Sequence, residues 1–402
     1  MLPAGSYRAA AFLAAARRLD VELAILTNAR LALAEHSDVV IVEDLADPKL
    51  LAEACALLGS IDAVVGVDDA AVVASAYLAE HHGLVHHSLA GTIAALDKAA
   101  QRALFAAAGV DQPDFALLAF VEDPALVAAS VGFPCVIKAT GLSAGRGVLR
   151  VDNPTDARWA SARVREVLSA AGRDSKAALL VEGFIDGPEV AVEGLVVGGA
   201  LFVLAIFDKP GQAQGPTFPE TMLVTPSRLA PEALAAVEAL TARAALALGL
   251  TDGPVHAELR LGPTGPRLLE LNPRSIGGLC GRTLHFNGGA SLEEVLLCAA
   301  LGWPTPLQMA PGASGVYMVD VPRPGRFLGV RGADAARAIA GIDDVVITMA
   351  SGSIVTALPD GGKYLGFVFA TAPTPEEVET VLRSAVEVLT VQIEPNYRLA
   401  GV

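Results

Sequence analysis

The sequence is poor in aromatic residues (5%), in charge (18%) and above all in positive charge: 29 Lys and Arg stand against 44 Asp and Glu over 402 residues, a net charge of −15. A field of that sign repels nucleic acid and anionic lipid, so neither nucleic acid nor a membrane is an expected partner. Cysteine is scarce as well. Cys55, Cys135, Cys280 and Cys298 are scattered with no CxxC pair, which argues against a disulfide framework and for reduced thiols in a cytoplasm. No run of 18 or more apolar residues occurs, and the one candidate targeting segment, residues 8–18 (RAAAFLAAARR), is too short to span a bilayer and has no small-residue cleavage site. That segment reads as an amphipathic helix. Internal repeats and low-complexity tracts are absent.

What is abundant is small and apolar. Hydrophobic residues make up 53% of the chain, enough to bury sizeable cores and to exclude disorder. At a usual ~150 residues per domain, two or three domains are expected. Over the first ninety residues, β-prone runs at 21–26, 39–42 and 63–67 alternate with helical stretches near 8–19, 47–58 and 69–82, the pattern of an open, mostly parallel α/β sheet. No strand precedes the first helix, so either the start is truncated or the sheet has lost an edge strand. A single long helix is predicted over 92–108, stopped by Gly109. Residues 113–200 read as strand, helix, strand, glycine loop, strand, helix and two strands. A helix at 231–248 and a hairpin of strands 255–261 and 267–271 follow. Beyond the Pro/Gly-rich linker 302–312, strands near 315–321, 344–349 and 365–371 and helices near 333–340 and 375–389 form another α/β pattern. The expected division is 1–95, 96–306 (with a flap subdomain at about 113–190) and 307–402.

Three motifs carry chemistry. In the first, a buried strand delivers Lys138 just before the loop GLSAGRG at 141–147. Its backbone N–H groups suit phosphate oxygens, with Ser143 and Arg146 as further donors, although a plain glycine hairpin beside a snorkelling lysine reads equally well. In the second, VEGFIDGPE at 181–189, a strand ends at Glu182 and a turn leads to Glu189. This could place a hinge against an adenine edge and a carboxylate near a ribose; two solvated glutamates are the commoner outcome. The third motif is more specific. Glu258 and Glu270 lie on successive strands and can sit side by side, while 270, 272 and 274 share one face by period-2 geometry. Two carboxylates and the Asn272 amide oxygen make a hard-oxygen site suited to magnesium, with Arg274 beside it for a phosphoryl group or carboxylate.

In this order, the three motifs resemble the ATP-grasp superfamily over about residues 96–306. The resemblance implies an α/β fold in which a flap and a hinge hold ATP between two subdomains. It implies that Lys98 and Lys138 contact phosphates together with Ser143, Gly145, Arg146 and Gly147, that Glu182, Phe184 and Ile185 line the adenine site, and that Glu189 binds ribose. Glu258, Glu270 and Asn272 would then hold Mg2+, with two ions expected and Mn2+ an alternative, and Arg274, Glu270 and Lys138 would be catalytic. Family members activate a carboxylate as an acyl phosphate and pass it to an amine. Beyond the linker, GIDDV at 341–345, Gly352-Ser353, GFVFA at 366–370 and the helix from Pro375 look like the terminal domain of L-amino acid ligases; GPVHAE at 253–258 and LNPR at 271–274 do so too. The implied partners are small carboxylate and amine substrates, and dimers are frequent in similar enzymes, so a homodimer is within expectation.

Biotin-dependent carboxylases and purine-pathway ligases share these motifs. In the carboxylases a glutamate four residues after the arginine acts as base; here Gly278 stands there, within Ser275-Ile276-Gly277-Gly278. Gly277 and Gly278 let backbone N–H groups approach a ligand, and the lack of a side chain at 278 leaves room for a larger acyl donor. His256 could orient the amine or be a satisfied strand histidine, and Arg282 could touch an anionic substrate or pair with an acidic neighbour. The long loop 208–226 reads as a substrate lid with Lys209 and Glu220 as contacts, or as a plain surface loop. The histidines His81, His82, His86 and His87 read as a solvated loop, and Cys280 has no recognisable base beside it.

Overall fold

The computed structural model describes residues 6, 8–28, 38–45, 47–211 and 214–395. Its centre is one eight-stranded antiparallel sheet. Across it lie Gly265–Asn272, Gly253–Gly262, Glu189–Val197, Ala200–Asp208, Met222–Thr225, Ala313–Val319, Gly366–Ala372 and Ile342–Ile347. The last three strands come from beyond the 302–312 linker, so the linker separates chain segments and not sheets. Met222–Thr225 joins them: it pairs with Ala313–Val319 in register Ser314↔Thr225. The strands bury side chains on both faces, which gives one large core and two further cores, one with helix Pro231–Ala247 and one with helix Pro375–Glu387.

A separate four-stranded antiparallel sheet (Phe115–Leu118, Leu179–Gly183, Cys135–Lys138, Val148–Val151) carries the glycine loop and packs on helices Pro124–Val131 and Pro154–Ala170. These strands and helices all lie within residues 113–190. A small sheet of Ile354–Val355, Gly325–Arg331 and Thr390–Glu394 completes the C-terminal part; none of its three strands was expected from the sequence, and all three are partly exposed.

The front segment departs from expectation. Ala24–Thr27 and Asp38–Ile41 form a parallel pair, but residues 63–67 form no strand; Val67 and Val65 pack on the central core instead. The single helix predicted at 92–108 is two, Leu89–Ala95 and Lys98–Ala107, because Asp97 takes an extended conformation and its carboxylate accepts from the N–H groups of Ala99 and Ala100. Such a cap starts a new helix with Lys98 as its first residue. Helix Ala9–Leu19 packs on helix Leu292–Ala300, where Arg8 is buried against Glu293 (Nη2–Oε1 2.7 Å) and Ser275 (2.6 Å). Among the described residues, no helix is long and apolar enough to cross a membrane.

His81 and His82 are exposed, but His86 and His87 are not part of a solvated loop. His87 is 2% exposed; its Nδ1 accepts from the Asp252 N–H (3.2 Å), which leaves Nε2–H to donate to the Pro254 carbonyl (3.0 Å). Burial brings its pKa from 6.5 down to about 4. The unfolded chain therefore binds the extra proton first, and this residue's contribution to stability is complete above pH 6.5 and lost as pH falls toward 4. The stability gap between the protein and a His87→Gln variant is expected to shrink as pH is lowered through that window, measured by denaturant unfolding; a gap that widens would contradict the assignment.

Candidate active site

The hairpin Gly253–Gly262/Gly265–Asn272 places Glu258 opposite Glu270 and His256 opposite Asn272, with a bulge after Glu258. This face forms one wall of a cavity of about 1150 Å³. Lys98, Lys138 and Arg274 line it, as do Ser143, Gly145 and Arg146 of the glycine loop, Phe184 and Ile185 of the hinge, and Gly277 and Gly278. The three motifs thus meet although they come from separate sheets.

Several charges of this cavity are paired across elements. Glu182, 2% exposed, lies between Lys138 (Nζ–Oε2 2.5 Å) and Arg102 (Nε–Oε1 2.6 Å). Burial opposes its ionisation, yet the two cations prevail and hold its pKa near 2. Its carboxylate fixes Lys138, and Glu182 itself lines the cavity. Glu189, expected at a ribose, accepts from Lys209 (2.8 Å) and from Arg260 (2.9 Å). Lys98 donates to the Leu142 carbonyl (2.8 Å) and meets Glu270 at 3.0 Å. Lys209 also reaches Glu220 (2.5 Å) and Glu258 (3.4 Å), so the expected lid contacts Lys209 and Glu220 do line the cavity. Their loop is pinned to the flap, where the Arg150 N–H donates to the Pro216 carbonyl (2.9 Å); Gln212 and Ala213 of that loop lie outside the described residues. Arg274 is gripped at two nitrogens by Asp69, the first residue of helix Asp69–His82. Burial opposes the arginine's charge, and Asp69 more than restores it.

Two expected contacts fail. Gly147 turns away from the cavity, its N–H donating to the Pro359 carbonyl (3.0 Å) in a left-handed turn (φ +62°). Arg282 lies outside the cavity, bonded to Asp344 (3.0 Å) with its guanidinium over the Phe369 ring. The space opposite Gly278 is also not vacant: a Cβ there would come within 3.0 Å of the Phe367 ring, so Phe367 fills the room attributed to a larger acyl donor.

Several residues that line the cavity or, like Arg102, sit behind its wall were invisible to motif reasoning. Asp69, Arg102, Arg260, Phe218 and Tyr364 each act through a partner far away in sequence. Phe184 stacks near Phe218 (6.3 Å between centroids) with Arg150 and Arg260 over its ring at 4.3 and 4.8 Å. Residues 356–364 close over the flap: Arg146 Nε donates to the Asp360 carbonyl (3.0 Å), and Lys363 and Tyr364 enter the cavity lining.

Among the described residues, no three His, Cys, Asp or Glu side chains form a metal cluster. Glu258, Glu270 and Asn272 instead offer two carboxylates and an amide oxygen, a set that fits Mg2+ shared with phosphates. Burial pushes the Glu258 carboxyl up, and the neighbouring Glu220, Glu189 and Glu270 push it further against the pull of Lys209. That excess of negative charge is what a divalent cation relieves.

Residues 131–283 match the ATP-grasp domain family, and residues 317–394 match L-amino acid ligase C-terminal domain 2. Over 144 residues the chain is 35% identical to carnosine synthase 1 of Mus musculus, covering 36% of this chain and 17% of that protein. Over 255 residues it is 26% identical to alanine–anticapsin ligase of Bacillus amyloliquefaciens, covering 59% and 53%. The fold superposes on the crystal structure of L-amino acid ligase from Bacillus licheniformis with a TM-score of 0.78 at 23% identity, over 95% of each chain. The matches span only 17% and 53% of the two curated relatives. Residues 131–283 therefore carry an ATP-grasp domain, and the segment beyond the linker carries a domain of the L-amino acid ligase type.

Replacing Arg102 with methionine leaves Glu182 with one cation. Breaking such a buried network is expected to cost about 3–5 kcal/mol of stability. Denaturant unfolding measures it, and a loss below about 1 kcal/mol, the range of exposed pairs, would show that Glu182 is not held as described.

Proposed function

We propose that the chain is an ATP-dependent carboxylate–amine ligase that forms an amide or peptide bond through an acyl phosphate, with an amino acid as one substrate. The observation that carries this reading is the meeting, in one cavity, of Lys98, Lys138 and Arg274 with the oxygen donors Glu258, Glu270 and Asn272, closed by a C-terminal segment of the ligase type.

In this reading ATP phosphates lie along Lys98 and Lys138, the latter fixed by Glu182 and Arg102. Glu258, Glu270 and Asn272 would hold magnesium, which would supply charge neutralisation for phosphate oxygens. Arg274 exchanges Asp69 for the substrate carboxylate and holds it in line. A carboxylate oxygen attacks the γ-phosphorus and ADP leaves; positioning and charge neutralisation supply most of such catalysis. The amine nitrogen then attacks the acyl carbon, with Arg274 and the Gly277–Gly278 backbone beside the developing oxyanion. Phosphate leaves with the oxygen that came from the carboxylate, and the amine loses a proton. A carboxylase would need a base where Gly278 has no side chain and Phe367 already fills the space.

Hydroxylamine in place of the amine is expected to yield a hydroxamate together with ADP when the right carboxylate is present, across a panel of amino acids and small carboxylates. ADP release that depends on bicarbonate alone, with no hydroxamate, would sink the ligase reading. Glu270→Ala is expected to lower ADP formation by at least about 100-fold, the scale of losing a major electrostatic contributor, with cooperative unfolding preserved.

A further inference from the structure

Glu193 sits in the middle of strand Glu189–Val197 with 0% exposure, paired in the ladder with His256. Its Oε2 accepts from the Ile276 N–H (2.9 Å) and lies 3.2 Å from His256 Nδ1, while its Oε1 has no hydrogen-bond partner. A buried carboxylate with one oxygen unserved is costly, and an apolar side chain of similar size would pack there at less cost. Packing therefore does not explain it. Both of its contacts lead to the cavity: His256 lines it, and Ile276 precedes the Gly277–Gly278 pair that lines it too.

We infer that Glu193 is a positioning residue: it fixes His256 as the Nδ1–H tautomer, so that Nε2 presents a lone pair to the cavity and, with Glu258, forms the subsite for the incoming amine. The inference rests on the ligase reading above. His256 Nε2 lies 3.9 Å from Glu258 Oε1. Two acceptors that close together favour a ligand bearing several N–H bonds and disfavour a carboxylate. Protonation of Glu193 leaves the arrangement intact. Oε2 already accepts the Ile276 N–H, so an added proton goes to Oε1, and Oε2 remains the acceptor for Nδ1–H. The same oxygen anchors the start of the glycine pair, so one buried group sets the amine site and the backbone beside the acyl carbon.

Two variants separate this role from a structural one. Glu193→Met removes the acceptor and keeps the bulk; Glu193→Gln keeps an acceptor oxygen and puts an amide NH2 in the place of Oε1. Glu193→Met is expected to raise the KM for the amine by about tenfold or more, as befits a buried donor stripped of its acceptor. The hydroxamate rate at saturating hydroxylamine is expected to fall by a smaller factor than the amine KM rises, a KM-against-kcat split that a general loss of structure would not give. Glu193→Gln keeps the amine KM within about twofold of wild type, because the hydrogen bond survives. A wild-type amine KM in Glu193→Met, or equal impairment of both variants, would overturn the inference. Nitrogen-15 NMR reads the tautomer without turnover, with the His256 signals assigned by their loss in His256→Asn. The wild type and Glu193→Gln are expected to show protonated Nδ1 and bare Nε2, and Nε2–H in the wild type would overturn the proposal even if Glu193→Met failed to fold. If no carboxylate–amine pair supports turnover, the ligase reading falls on its own while the tautomer is still decided.

Discussion

Charge taken out of water must be matched, and the cavity of this protein is built on that constraint. Glu182 between Arg102 and Lys138, Glu189 between Lys209 and Arg260, Glu270 against Lys98 and Asp69 against Arg274 are all pairings across elements. They fasten the flap sheet to helix Lys98–Ala107, the helix to the hairpin, and the hairpin to the front segment. The side chains suited to phosphate and metal are the same ones that hold the walls together. Under the proposed function, entering anions would exchange with carboxylates already in place, and a divalent cation would relieve the negative excess around Glu258.

The front and C-terminal segments belong to this arrangement as closely as the middle does. Asp69 comes from the first, and Pro359, Asp360, Lys363 and Tyr364 come from the second. Three C-terminal strands extend the central sheet, which fixes residues 356–364 over the glycine loop. A net charge of −15 describes the overall field and is silent on small anions. The few Lys and Arg side chains gathered in the cavity, not the overall field, suit it to phosphate.

The hairpin was legible because its information is local: period-2 alternation puts 270 and 272 on one face, and a tight turn sets Glu258 opposite Glu270, although the strand ends at Asn272 before Arg274. Lys138 and the glycine loop were legible for the same reason. The partners that give these residues their roles were not. Arg102 and Glu182 are 80 residues apart, Asp69 and Arg274 are 205 apart, and nothing in a local window links them. Gly147 and Arg282 failed because a motif fixes spacing and not direction: one N–H turned to Pro359 and one guanidinium to Asp344. Gly278 failed because the room it leaves belongs to Phe367, a residue 89 positions on whose ring comes from another strand.

The central claim is that the carboxylate substrate is phosphorylated before the amine adds. Oxygen-18 placed in the carboxylate tests it most directly. Formation of the amide in the presence of ATP is expected to deliver one labelled oxygen to each inorganic phosphate released. Amide formed alongside unlabelled phosphate would contradict the account.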